Sequence, residues 1–150
     1  MTAQNEAIAE GFGQRLREER KRLGLNQEEM AQLAGIQRIA QSQYELGGRE
    51  PRISYLAAIG AAGVNLGYLL FGKSVPEDAV PPMKRREIEK TAFDMIEEYV
   101  QTQCGGTMSS DGRFVLFEVM RSQLMRAAAI GLPKKPNVAD FLPLGAVKHG

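Results

Sequence analysis

NQEEMAQLAGIQRIAQSQYELGGREP, residues 26–51, is the stretch from which the fold can be read. Asn26 followed by Glu29 has the spacing of a capping box, in which two side chains satisfy the orphan amides of a helix start. A helix is therefore expected from about Gln27 to Ala34, with Met30, Ala31, Leu33 and Ala34 turned inward. Gly35 then allows the left-handed backbone of a sharp turn, and Ile36 can plug the corner between helices. A second helix should run from about Gln37 to Leu46, where Gly47 and Gly48 end it. Its inward residues are Ala40 and Tyr44. Outward it would show Gln37, Arg38, Ile39, Ser42 and Gln43: amides, a guanidinium, a hydroxyl and one aliphatic group.

Upstream, Phe12, Leu16 and Leu23 recur at helical spacing with Arg15, Arg17, Arg20, Lys21 and Arg22 between them, and Gly24 stops the run. Downstream, Ser54 to Ala62 places Tyr55, Leu56 and Ile59 on one face. Asn65 can cap a short helix that contains Leu66, Leu69, Leu70 and Phe71. Five short helices over residues 12–73 make one small domain, preceded by a polar stretch, 1–11, expected to be flexible. From residue 74 to 82 the composition turns to Pro, Val and acids, with Pro76, Pro81 and Pro82, and reads as a linker.

Residues 83–130 read as two longer helices. Lys84 to Gln103 carries Ile88, Ala92, Met95, Ile96, Tyr99 and Val100 on one side and ends at Gly105 and Gly106. After Ser109 or Ser110 as cap, Asp111 to Ala129 carries Phe114, Val115, Leu116, Phe117, Val119, Met120, Leu124 and Met125. That arc is wider than one neighbouring helix covers. Self-association through Phe114, Phe117, Met120 and Leu124 is expected from the surplus. Residues 131–150, with Pro133, Pro136 and Pro143, read as an extended tail. The fold class is all-α, a five-helix head followed by a helical hairpin.

Composition narrows the chemistry. No apolar run in the 150 residues approaches the ~20 needed for a membrane span, and a cytoplasmic location is expected. One cysteine, Cys104, and one histidine, His149, leave no disulfide framework and no metal cluster, so no cofactor is expected. Cys104 reads as an inert thiol and His149 as a residue without a role. The net charge is only +1. Its distribution is more telling, since residues 12–73 hold nine Lys or Arg against six Asp or Glu, while 74–150 hold ten of each sign.

With RLREERKRLGLNQ before it and YLAAIGAAGVNLGYLLFG after it, the 26–51 stretch resembles the helix-turn-helix of lambdoid phage repressors and Cro, the XRE family. The likeness rests on Gln27 opening one helix, Gly35 in the turn, the pair Tyr44 and Glu45 closing the next, Gly47 after it, and Arg49 and Pro51 beyond. It covers roughly residues 12–73. The resemblance implies a sequence-specific, dimeric regulator, without enzymatic activity, whose helix from Gln37 to Leu46 enters the DNA major groove and reads an inverted-repeat operator. Gln37, Arg38, Ile39, Ser42 and Gln43 then fall where family members touch bases, and Gln27, Arg49 and Arg52 where they meet phosphates. Arg20 and Glu45 match positions that form a bracing ion pair in some members.

Two positions depart from the family. Residue 37 is usually Ser or Thr, and Gln37 is a poor cap; residue 41 is usually a buried Ile or Val, and Gln41 is polar. Gln41 together with YLAAI after it points to a prophage-regulator subgroup. A slightly rotated helix would add Gln41 to the base readers. Arg17, Lys21 and Arg22 beside Glu18 and Glu19 read as a solvated, salt-bridged face, and Lys84, Arg85 and Arg86 as a solubilising cluster at a helix start. A self-cleaving Ser-Lys domain, found on larger phage repressors, needs a mainly β scaffold for which too little chain remains. Two other readings stay open: an antitoxin whose C-terminal region grips a toxin protein, and a protein-interaction module that has lost DNA binding.

Overall fold

In the computed structural model, which describes residues 11–131, Asn26 and Glu29 cap one another. The Glu29 amide donates to Asn26 Oδ1 at 2.8 Å and the Asn26 amide to Glu29 Oε1 at 3.1 Å. The helix this starts, α2 (Gln27–Leu33), follows α1 (Phe12–Arg22) and precedes α3 (Arg38–Leu46), α4 (Ile53–Ala61) and α5 (Leu66–Phe71). Gly35 and Gly47 take φ of 69° and 78°. Both are left-handed values that a side chain would resist, and they set the turns on either side of α3. The described residues form helices and turns only, so the protein is all-α.

The first unit closes around Leu16, Met30, Tyr44, Tyr55, Leu56, Ile59, Leu66, Leu69 and Leu70, all buried. Each such side chain contributes roughly 1.5 to 3 kcal/mol on leaving water. α3 packs against α1 and α2, while α1 also meets α5 and α2 meets α4. The approach of α1 to α3 is very close at Gly13, where a Cβ would collide with the backbone carbonyl of Glu45. Only glycine lets the two helices come together there. Asn65 caps α5 through the Tyr68 amide at 3.0 Å.

Glu19 departs from the solvated face expected of α1, being only 6% exposed. Its carboxylate accepts from Arg22 Nε and Nη2 at 2.8 and 2.7 Å and from the Asn65 amide at 2.8 Å. It therefore fastens α1 to the loop before α5. The hydrogen bond from Arg22 outweighs the opposing effect of burial and, with the Asn65 amide, holds this carboxyl below its ordinary range.

The chain divides after Lys73 into two compact units. In the second, α6 (Pro82–Gln103) and α7 (Ser110–Ile130) pack as a hairpin. Ile88, Ala92, Ile96, Tyr99 and Val100 are buried on α6, and Val115, Leu116, Val119, Met120 and Met125 on α7. Ser109 caps α7 by accepting from the Gly112 amide at 3.0 Å, and Arg113 pairs with Glu97 at 2.9 Å across the two helices. α6 begins two residues before the expected Lys84, at Pro82, whose fixed φ and missing N–H suit a first helical position.

The stretch expected as a linker carries a 3-10 turn, Glu77–Ala79, and places Val80 in the second unit's core with Ile88 and Met125. Val75 and Leu124 pack on the same cluster. This alters the reading of the α7 surplus. Met120 is 1% exposed within its own hairpin, so it does not form the free apolar surface expected of it, and Leu124, half-buried, packs partly on the Val80 cluster. The segment set aside as linker covers part of the wide arc. Phe114 and Phe117 remain half-buried. The expectations for the stretch 1–11 and the tail 131–150 fall, except for Gly11 and Gly131, outside the described residues.

Candidate nucleic-acid interface

α3 has two chemically distinct faces. Inward it sets Ala40, Gln41 and Tyr44, and outward it sets Arg38, Ile39, Gln43 and Leu46, with Gln37 exposed just before its first turn and Ser42 half-buried. Ile39 is 70% exposed, a large aliphatic group held in water. Gln37 makes no side-chain hydrogen bond to the helix it precedes, as its chemistry foretold.

Gln41 overturns its sequence expectation. It is fully buried and cannot reach a base. Its Nε2 donates to Glu45 Oε2 at 2.8 Å and approaches Met30 Sδ at 3.7 Å, while its Oε1 accepts from the Tyr55 hydroxyl at 2.6 Å. A polar residue stands at an inward position because the core offers it partners at both ends of its amide.

Glu45 continues the chain of bonds. Arg20 grips it with two parallel bonds, Nε to Oε2 at 3.0 Å and Nη2 to Oε1 at 2.9 Å, and Arg20 Nη1 also donates to the Leu25 carbonyl at 3.0 Å. Both side chains are nearly inaccessible, at 10% and 4% exposure. Burial pushes the Glu45 carboxyl up, but hydrogen bonds from Arg20, Gln41 and Gln27, with the Arg20 charge, leave it below its ordinary value. Gln27, expected at a phosphate, is half-buried at the start of α2. Burial likewise raises the Tyr55 phenol well above its usual value, keeping it a neutral hydrogen-bond donor.

Beyond α3, Arg49 and Arg52 are exposed. The Arg49 guanidinium lies 5.9 Å from the centre of the Tyr44 ring, and Tyr44 meets Tyr55 edge to face with centroids 4.7 Å apart. The core aromatic pair thereby steadies a cation in the loop. In α6, Lys84 and Arg86 pair with Glu87 and Glu89 along the helix.

The family model described as Helix-turn-helix matches residues 16–62. The chain carries a helix-turn-helix domain of the XRE family. The match takes in α1 from Leu16, all of α2, α3 and α4, and every residue of the buried network. This helix-turn-helix domain is that of a DNA-binding transcription regulator, with double-stranded DNA as its partner. The comparisons with curated proteins and with solved structures found no match. Among the described residues no helix is long and apolar enough to cross a membrane, and no group of His, Cys, Asp or Glu could hold a metal ion.

Sequence reasoning missed one exposed side chain of α3 and one member of the buried network beneath it. Leu46 is 83% exposed at the end of α3, and its spacing of seven residues from Ile39 was the available signal. Tyr55 was read only as apolar core. Its hydroxyl's partner stands 14 residues earlier, a separation that no local pattern reports.

Proposed function

We propose that the protein is a dimeric repressor of phage, prophage or bacterial promoters that reads an inverted-repeat operator with α3. One observation supports this above the rest: the exposed stripe of Gln37, Arg38, Ile39 and Gln43 is held outward by a buried, fully bonded seat. A helix fits the major groove of B-DNA, where each base pair shows its own pattern of donors and acceptors. In this reading Arg38 takes the two acceptors of a guanine, Gln37 or Gln43 bonds both groups of an adenine, Ile39 meets a thymine methyl, and Ser42 bonds a base edge. Arg49 and Arg52 meet phosphates and set register without reading sequence, and the start of α2 at Gln27 adjoins the same strand. Pairing of two protomers sets two reading helices about 34 Å apart, one turn of DNA.

Selection of bound duplexes from a random pool tests the reading and should yield a short inverted repeat. Arg38→Ala and Gln43→Ala should each flatten preference at one base pair of the half-site, by about 5- to 150-fold. Arg49→Ala should weaken binding to every duplex alike and lower the salt slope by about one. Uniform loss on all sequences from all three variants would refute this division of roles. Failure to enrich any duplex would refute the function.

A further inference from the structure

α3 is nine residues long, too short to hold its own shape in water, and no side chain caps its start. Its orientation must come from the face it buries. Of that face, Ala40 and Tyr44 pack apolar surface, which is non-directional and tolerates small rotations. Gln41 differs in kind, because both ends of its amide are tied: the oxygen to Tyr55 of α4, the nitrogen to Glu45, which Arg20 of α1 clamps. Hydrogen bonds of this type weaken within a few tenths of an ångström or beyond modest angles. With side-chain tips at roughly 5 Å from a helix axis, a rotation of about 15° moves them by more than 1 Å. That displacement exceeds what a bidentate contact to a base edge can absorb.

We propose that Gln41 and Tyr55 are positioning residues that fix the rotation of α3 about its axis, and so set base preference without touching DNA. The proposal rests on the DNA-reading role of α3 given above. It goes beyond the ion pair of Arg20 and Glu45, which ties only one end of the helix. The amide ties its middle to the opposite wall of the core.

Two conservative variants of the full chain test this. Gln41→Met keeps length and approximate volume but removes the amide, and Tyr55→Phe deletes only the hydroxyl. Each variant, and the double variant, is put through selection from random duplexes, beside a titration against one fixed random duplex and a thermal melt. The expected result is a broadened base preference, at least about 5-fold at one or more half-site positions, with random-duplex affinity within about 2-fold of wild type. The double variant should be no broader than the worse single one, since both cut the same chain of bonds. Preference profiles that match wild type in both single variants would overturn the proposal, as would affinity lost equally on all duplexes in step with the melt. Wild-type protein that enriches no duplex refutes the DNA-reading role itself, whereas wild-type enrichment with unchanged variants refutes this proposal alone.

Discussion

Two carboxylates, Glu19 and Glu45, are held below their ordinary pKa inside the head, each by an arginine bonded through two nitrogens. A group depressed in the folded state contributes stability that is complete above its unfolded pKa, about 4.5 for both, and is lost as pH falls toward the folded value. Urea melts should therefore show a plateau above about pH 5 and a decline below it. Glu45→Gln should flatten part of that decline while lowering the plateau. Glu45→Ala is expected to cost more, about 3 to 5 kcal/mol, because it leaves the Arg20 charge buried without its partner. An acid limb unchanged in Glu45→Gln would contradict the assignment. The two pairs differ in what they hold: Glu19 ties α1 to the Asn65 loop, and Glu45, on α3, ties that helix to α1.

At the scale of elements, α3 starts without a side-chain cap, which makes its start a place where stability can be added. Gln37→Ser should supply the missing cap and raise unfolding free energy by about 0.5 to 1 kcal/mol, measured by urea titration. The neighbouring elements explain how much of the fold could be read beforehand. Asn26 with Glu29, Gly35, Gly47 and Asn65 act within a few residues of themselves, so helix boundaries and turns were legible, as were the outward residues of α3 apart from Leu46 and the half-buried Ser42. The inward set was less so. A glutamine among outward glutamines looks like one more polar surface residue until Tyr55 and Glu45 surround it, and those partners meet only in the folded core. For the same reason Val80 read as linker: three prolines announce an interruption of helix, and nothing local states that Ile88 and Met125 wait beside it.

For the whole molecule, the division after Lys73 separates the residues proposed to read DNA from the hairpin proposed to pair protomers. A chain ending at Lys73 is expected to sediment as a monomer. It should bind the selected inverted repeat at least about 100-fold more weakly than the full chain, since the second half-site is no longer delivered by the first. Equal affinity of the two chains would place the pairing surface within the head. Of the α7 residues expected at that surface, Phe114, Phe117 and Leu124 keep exposed area, while Met120 stabilises the hairpin itself. On α3 the side chains that face outward and those that anchor it are separate sets. Retargeting to a new operator could therefore be written onto positions 37, 38, 39, 42 and 43 as a graft, provided that the glutamine, glutamate and tyrosine underneath are left as they are.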